Sequence, residues 1–145
     1  TLFKVIKSSY YEYNYPHVIE PSIGIDRVIY ALICHKLSLR EDTTRPYLIL
    51  PKECLSYDFM LAQLSNHTDL LAKFKEIKSQ FSDYNIFTDM SSTTIGKRYT
   101  RADELGIKYS ITIDFDTLKD NTVTLRNIID MKQIRVNVSL IPTFL

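Results

Sequence analysis

Hydrophobic positions in the second part of the chain alternate between two periods, one typical of strands and one typical of helices. Tyr109, Ile111 and Ile113 are separated by single polar residues, which predicts a strand with one buried face. Apolar residues recur at intervals of three and four over 70–81 and 95–105, which predicts two amphipathic helices. Further strands are predicted over 57–64, 84–88, 123–125 and 134–138, and a short apolar stretch over 47–50 is closed by Pro51. This alternation predicts that residues 46–145 form a small α/β domain with a mixed sheet.

Polar and glycine residues at the ends of these segments predict where each element begins or ends. Asn66 or Thr68 is predicted to cap the first helix, and Gly106 is predicted to end the second. The segment 127–131 is the predicted turn of an antiparallel hairpin. Ser139 is predicted to cap a last helix.

The first 45 residues follow a different pattern. Residues 18–20 predict a short strand, and apolar positions over 25–33 have the spacing of an amphipathic helix. The stretch 36–45 is polar and aperiodic, which predicts an exposed loop or linker. We therefore expect two units, 1–45 and 46–145.

Composition and charge limit the function classes. Hydrophobic residues make up 45% of the 145 residues, which excludes a disordered chain. A formal net charge of +1 argues against a protein that coats nucleic acid or membrane through bulk charge, so any such contact needs a local patch. No apolar run reaches the length of a membrane span, and no membrane partner is expected. The chain begins at Thr1 without Met, which suggests a piece of a longer protein.

Cysteines and histidines give no catalytic pattern. Cys34 and Cys54 have apolar neighbours and no metal-ligand spacing, which predicts buried free thiols in a reducing compartment, with a disulfide as the less favoured alternative. His17, His35 and His67 are scattered, with no partnered nucleophile, and none is expected to be catalytic.

The first constellation that carries chemistry is Glu20, Ser22 and Arg27, at the predicted strand-to-helix junction. A helix N-terminus favours anions, Arg27 can hold a phosphate, and Glu20 can hold a metal ion. The alternative is structural: Ser22 caps the helix and Arg27 pairs with Glu20 or Asp26. Spacing alone favours this structural interpretation.

The second constellation is the predicted helix over 95–106, which combines basic, aromatic and acidic residues. Its basic residues can meet phosphates, its tyrosine can stack on a base, and its carboxylates can accept hydrogen bonds from base amino groups. The alternative is a solvated helix in which Arg98 pairs with Asp103 or Glu104. Asp114 and Asp116 after the next strand are weak evidence for a metal site, and loop capping is favoured there.

These segments resemble a known family. Residues 16–27 resemble motif 3 of class II aminoacyl-tRNA synthetases, in the form found in eukaryotic and archaeal glycyl-tRNA synthetases. Segments within 95–135 resemble the C-terminal anticodon-binding domain of the same enzymes. The two matches follow the family's order and together span nearly the whole chain.

The resemblance implies roles for individual residues. The family activates glycine with ATP and Mg²⁺ and transfers it to its tRNA. Arg27 would hold the ATP phosphates, Glu20 would bind ATP with its metal ion, and Ser22 would contact glycine. Residues 46–145 would form a five-stranded mixed sheet flanked by helices that reads the anticodon. The residues implied in tRNA contact are Arg98, Arg101, Asp103, Glu104, Phe115 and Arg126.

The chain also departs from the family. Asp26 stands where a second glycine is common, and Ile128 replaces the second arginine of an Arg-Asp-Arg-Asp pattern. Motifs 1 and 2 are absent, so we expect the chain alone to be inactive, monomeric and without a cofactor of its own. The resemblance implies that the parent enzyme is a homodimer in the cytoplasm, with a mitochondrial form as a further option.

The sequence leaves two other functions open. One is a non-catalytic adaptor, such as the accessory subunit of the mitochondrial DNA polymerase, which is similar to these synthetases. The other is a free-standing nucleotide-binding domain. Glu20, Ser22 and Arg27 together favour the synthetase, because an adaptor has no chemical need for all three.

Overall fold

The structure is a computed structural model, and it describes residues 5–7, 12–14, 16–41 and 45–145. The chain divides into two compact units, Thr1–Tyr30 and Ala31–Leu145. The functional boundary after residue 45 stays a prediction.

The first unit contains a short antiparallel pair, β1 (Val5–Lys7) and β2 (Glu12–Asn14). Residues 16–24 have no regular secondary structure, so the strand predicted over 18–20 is wrong. Val18 and Ile19 are exposed and pair with no strand in the described part of the chain. Strands depend on such pairing more than on their own residue types.

The predicted helix that follows is present as α1 (Ile25–Lys36). The Gly24 carbonyl accepts hydrogen bonds from the backbone N–H groups of Arg27 and Val28, each at 3.2 Å. The last turn of α1 contains His35 and Lys36, and basic residues at this position suit the negative end of the helix dipole. No residue of α1 is buried.

Part of the predicted linker is a strand. β3 (Leu37–Leu39) pairs antiparallel with β4 (Pro46–Leu48), and the Arg40 N–H donates to the Arg45 carbonyl at 3.1 Å. The prediction of an irregular stretch from 36 is therefore wrong for β3, because two leucines around one serine follow the strand period. Residues 42–44 of the predicted linker lie outside the described residues.

The second unit is built on a five-stranded mixed sheet, as predicted. Its strands are β5 (Phe59–Gln63), β6 (Ile86–Asp89), β7 (Tyr109–Ile113), β8 (Thr122–Asn127) and β9 (Gln133–Asn137). The strand order is β6-β5-β7-β8-β9. β5 runs parallel to β6 and β7, whereas β8 and β9 continue the sheet antiparallel. The predicted hairpin is confirmed in β8 and β9.

Helices α2 (Thr68–Gln80) and α3 (Ile95–Glu104) connect the parallel strands, and α4 (Thr117–Asp120) precedes β8. The cap of α2 is His67, whose Nδ1 accepts from the Asp69 N–H at 3.4 Å. The predicted caps are wrong, because Asn66 accepts from Gln63 instead and Thr68 already lies inside the helix. Gly106 follows α3 with a φ of +74°, which confirms the predicted stop.

The sheet is covered on both faces. Alternate residues of β5 point to opposite sides: Phe59 and Leu61 belong to the larger apolar cluster, and Met60 and Ala62 to the smaller one. α2 contributes Leu70, Phe74 and Ile77 to the larger cluster. α3 contributes Ala102 to the smaller one. Each large apolar side chain buried in this way contributes about 1.5–3 kcal/mol.

α3 buries most of the predicted face. Ala102 is buried, and Ile95 and Tyr99 pack against the same apolar cluster as expected, but Leu105 is 45% exposed. Arg98 and Asp103 are buried as well, because they bond to polar partners on other elements.

Three further predictions need correction. The last element, Val138–Thr143, is a 3₁₀ helix, and its cap is Asn137, whose side chain accepts from the Ser139 N–H at 3.0 Å. Ser139 already lies inside this element, and its Oγ donates to the same Asn137 oxygen, so Ser139 is not the cap. Cys34 and Cys54 are free but exposed. Cys34 lies in α1 and Cys54 ends a 3₁₀ turn, and neither element buries any residue. Their apolar neighbours along the chain therefore do not form a core around them.

Within the described ranges, no helix is both long and apolar enough to span a bilayer.

Candidate nucleic-acid interface

Glu20, Ser22 and Arg27 are all exposed. Glu20 and Ser22 lie in the irregular segment, and Arg27 lies in the first turn of α1. Neither a capping hydrogen bond from Ser22 nor an ion pair of Arg27 with Glu20 or Asp26 forms among the described residues. Their side chains are therefore open to a ligand, and their predicted roles toward ATP and glycine stay predictions.

Glu20 fits the predicted metal only as a single ligand. No three His, Cys, Asp or Glu side chains converge anywhere in the described ranges. Mg²⁺ is commonly held by one or two carboxylates together with substrate phosphates. A single carboxylate, as Glu20 would supply, is compatible with that mode of binding.

Arg98, a predicted tRNA contact, is buried and forms its hydrogen bonds within the domain. Its Nη1 donates to the Gln63 carbonyl at 2.6 Å and its Nε donates to the Thr93 carbonyl at 3.1 Å. Only 3% of the residue is exposed. The predicted pairing with Asp103 or Glu104 is wrong, and no other carboxylate of the described chain pairs with it. Arg98 thus ties the end of β5 to the loop before α3.

Arg101 belongs to α3, its side chain reaches the carboxyl end of β6, and it is half exposed. Its Nη1 donates to Asp89 Oδ2 at 2.8 Å and to Ser91 Oγ at 3.0 Å. Burial opposes ionisation of Asp89, but hydrogen bonds from Ser91 and the Arg101 guanidinium outweigh it and lower the pKa of Asp89. The ionised carboxylate fixes one edge of the Arg101 guanidinium and leaves the rest accessible.

Asp103 is held between two arginines. Arg126 donates from Nη1 to Asp103 Oδ1 at 2.8 Å and from Nη2 to Oδ2 at 3.1 Å. Arg40 Nη2 donates to the same Oδ2 at 3.0 Å. All three side chains are buried. We call Arg40, Asp103 and Arg126 the Asp103 cluster.

Backbone and aromatic groups complete the Asp103 cluster. Arg40 also donates to the carbonyls of Ile128 at 2.6 Å and Ile129 at 3.1 Å, and its guanidinium lies 4.5 Å from the centre of the Tyr47 ring. The Arg126 guanidinium lies 4.8 Å from the centre of the Tyr99 ring. Such cation–π contacts stabilise buried guanidinium groups.

Tyr99 is therefore engaged inside the domain. Its hydroxyl lies 2.7 Å from Thr112 Oγ1, and burial is the main reason why its pKa is raised. Because Arg126 covers one ring face, the predicted stacking of a base on Tyr99 has at most the other face to use.

Glu104 and Phe115 are the remaining exposed members of the predicted set. The Glu104 side chain has no hydrogen bond or ion pair with the rest of the described chain. Phe115 follows β7 and is 46% exposed, with its ring centre 5.7 Å from that of His67. Both are accessible to a ligand, and their contact with tRNA stays a prediction.

Asp114 caps the loop after β7. Its Oδ1 accepts from the backbone N–H groups of Asp116 and Thr117, each at 3.1 Å, and its Oδ2 accepts from Arg135. Burial opposes ionisation, but the Thr117 N–H and the Arg135 guanidinium outweigh it and lower the pKa of Asp114. The capping interpretation is confirmed.

Sequence patterns missed Arg40, which the structure places at the centre of this region. It falls in the predicted linker, and its partner Asp103 is 63 positions away. The spacing of hydrophobic residues in a short window cannot predict a contact between residues so far apart in sequence. The local sequence offered one hint, namely an arginine that directly follows a short alternation of apolar and polar residues.

Comparison with known proteins places the sheet in a family. Residues 58–145 match the family model described as anticodon binding domain. The chain is 44% identical over 131 residues to the glycine–tRNA ligase of Methanothermobacter thermautotrophicus, covering 89% of this chain and 23% of that protein. It is 40% identical over 143 residues to the glycine–tRNA ligase of Methanocaldococcus jannaschii, covering 98% of this chain and 24% of that protein. It is 35% identical over 144 residues to the glycine–tRNA ligase of Bombyx mori, covering 97% of this chain and 20% of that protein.

The chain thus spans about a fifth to a quarter of the length of these relatives. The family match extends over more than half of the chain and includes all five strands of the sheet. The chain therefore belongs to the family of anticodon-binding domains.

Proposed function

We propose that the chain is the part of a glycine–tRNA ligase that recognises the anticodon, preceded by a segment of the catalytic domain. The parent enzyme activates glycine with ATP and charges its tRNA. The observation that carries the proposal is the five-stranded mixed sheet over which the family model matches. The relatives reported above, all glycine–tRNA ligases at 35–44% identity, support the choice of amino acid.

The carboxyl ends of the parallel strands favour one edge of the sheet for RNA. β5, β6 and β7 are parallel, so their carboxyl ends share an edge, and ligands of α/β sheets bind outside that edge. Phe115 follows β7 there, and Arg101 bonds to Asp89 at the end of β6. An exposed aromatic ring can stack an unpaired base, and an arginine can contact its phosphate or edge.

Burial divides the predicted tRNA contacts into two groups. Arg101, Glu104 and Phe115 are accessible and act as direct contacts in this proposal. Arg98, Asp103 and Arg126 are buried and bonded within the domain, and act by holding α3 against the sheet.

Glu20, Ser22 and Arg27 belong to the catalytic side of the proposal. Their exposed carboxylate, hydroxyl and guanidinium suit ATP with its metal ion, glycine and the ATP phosphates respectively. Homodimerisation of the parent and its cytoplasmic or mitochondrial location are part of the same proposal.

The test is binding of the 145-residue chain to two tRNAs at one fixed salt concentration, because RNA affinity varies steeply with salt. One tRNA carries a glycine anticodon, and the other is identical except for changed second and third anticodon bases. We expect tighter binding of the first. Equal affinity for both would exclude anticodon recognition by this domain.

A further inference from the structure

A small pocket opens beside the Asp103 cluster. Its volume is about 180 Å³, below the roughly 300–1,000 Å³ of clefts that hold drug-sized ligands. Side chains from the β3–β4 segment, from α3 and from the β8–β9 hairpin line it. The lining residues that matter here are Arg40, Arg45, Tyr99, Asp103, Arg126 and Gln133.

The lining carries excess positive charge. Three guanidinium groups, from Arg40, Arg45 and Arg126, line the pocket, and Asp103 is the only carboxylate that does so among the described residues. Asp103 already serves two of these arginines. Buried charges are costly unless they are paired, so the imbalance favours an anion in the pocket.

An unsatisfied donor lies in the same cluster. Arg40 Nε is buried and has no hydrogen-bond partner in the described chain, although both Nη atoms of this residue are bonded. Buried donors without partners are rare and cost free energy. The domain itself therefore does not fully satisfy the Arg40 guanidinium, which adds to the uncompensated positive charge beside the pocket.

The free groups of the pocket match phosphate better than a base. The Arg45 and Gln133 side chains are exposed, and neither has a hydrogen bond or ion pair among the described residues. Arginine forks match the oxygens of phosphate closely. A base, in contrast, would need an aromatic face, and Arg126 already covers one face of Tyr99.

We propose that this pocket binds one phosphate group. The group is either a free phosphate or a phosphate of an RNA backbone, and the second source rests on the proposed function. Contacts to backbone phosphates position a nucleic acid without reading its sequence. The pocket thus adds affinity and register for RNA, while the bases are read elsewhere.

The experiment follows the ¹H–¹⁵N NMR signals of the 145-residue chain, including those of arginine Nε–H groups. The chain is titrated first with inorganic phosphate and then, in a separate sample, with an RNA stem-loop that carries a glycine anticodon. The test variant is Arg45→Gln, which removes one charge without breaking a described contact. The matched control is Lys75→Gln, an exposed residue on α2, the helix that covers the opposite face of the sheet.

We expect phosphate to shift the signals of Arg40, Arg126 and Gln133 saturably. Arg45→Gln should weaken phosphate binding about tenfold, as loss of a charge-assisted hydrogen bond does, and Lys75→Gln should not. RNA should shift the same signals and compete with phosphate.

Three results would overturn part or all of the proposal. Absent or unsaturable phosphate shifts, or equal weakening by both variants, would refute the pocket. RNA binding that leaves these signals unchanged would refute its role toward RNA while leaving anticodon recognition intact. Phosphate binding without any RNA binding would retain the pocket for free phosphate and refute the proposed function instead.

Discussion

Arg126 and Asp103 form a bidentate ion pair with N–O distances of 2.8 and 3.1 Å. The pair is almost completely buried, since the two side chains are 6% and 5% exposed. The pair joins β8 to α3 across one face of the sheet. Both residues are of the type that reads nucleic-acid bases, yet in this fold they satisfy each other. Their first contribution is therefore to the stability of the domain.

Replacing Asp103 by Asn should destabilise the domain strongly. The change leaves Arg40 and Arg126 buried without a counter-charge, and breaking a buried ion pair from one side costs about 3–5 kcal/mol. Urea unfolding followed by circular dichroism measures the free energy of unfolding. Glu104→Gln, the exposed neighbour, is the control and should stay within about 0.5 kcal/mol of the parent. Equal, small effects of the two changes would contradict the structural role of Asp103.

Arg98→Lys should lower stability without changing base preference. A lysine ammonium cannot span the Gln63 and Thr93 carbonyls as the guanidinium does, and a buried polar group left unpaired costs about 1–3 kcal/mol. The measurements are the free energy of unfolding and the affinity ratio for the two tRNAs described above. Lys97→Gln, at an exposed position of the same helix, is the control. Unchanged stability with a lost affinity ratio would instead identify Arg98 as a direct base contact.

Phe115→Leu should weaken RNA binding while leaving the fold intact. Leucine keeps an apolar side chain at this exposed position but removes the ring, and stacking on an aromatic side chain is worth about 1–3 kcal/mol per base. We expect roughly tenfold weaker binding in fluorescence anisotropy with the glycine tRNA. Leu118→Ala, a nearby exposed apolar residue, should bind as the parent does. An unaltered affinity of Phe115→Leu would remove Phe115 from the interface.

Stability should fall in acid partly through Asp114. Its pKa in the fold is lowered from the ordinary value of 3.8, so the ionised form contributes stability that is fully present above 3.8 and is lost as the pH falls through the folded value. Unfolding free energies measured from about pH 6 to about pH 3 should decline at the acid end, and less steeply in Asp114→Asn. The non-ionisable change Leu118→Ala should retain the parent's slope. If the free energy of unfolding fell equally steeply with pH in the parent and in Asp114→Asn, Asp114 would be excluded as a cause of the acid sensitivity.

The sequence predicted those elements whose pattern is complete within a short window. β7 alternates over five residues and α2 repeats its apolar positions over three turns, so both were predictable from periodicity alone. The caps were not, because Asn66, His67 and Thr68 all carry side chains able to cap, and the choice among them depends on the bond between Asn66 and Gln63.

The candidate site was predictable in residue type but not in exposure. Charged residues on a helix are normally solvated, which made Arg98 and Asp103 look accessible. Their partners are the Gln63 carbonyl, 35 positions from Arg98, and Arg40, 63 positions from Asp103. Contacts at such separations depend on the topology of the sheet, which a local pattern does not contain.

The bond between Arg40 and Asp103 also determines how the β3–β4 ribbon opens. A two-stranded ribbon alone is only marginally stable in water, and local opening normally frays such an element first. Here opening would pull Arg40 away from Asp103 and from the carbonyls of Ile128 and Ile129. The ribbon is therefore expected to exchange its amide hydrogens together with the five-stranded sheet, as one cooperative unit.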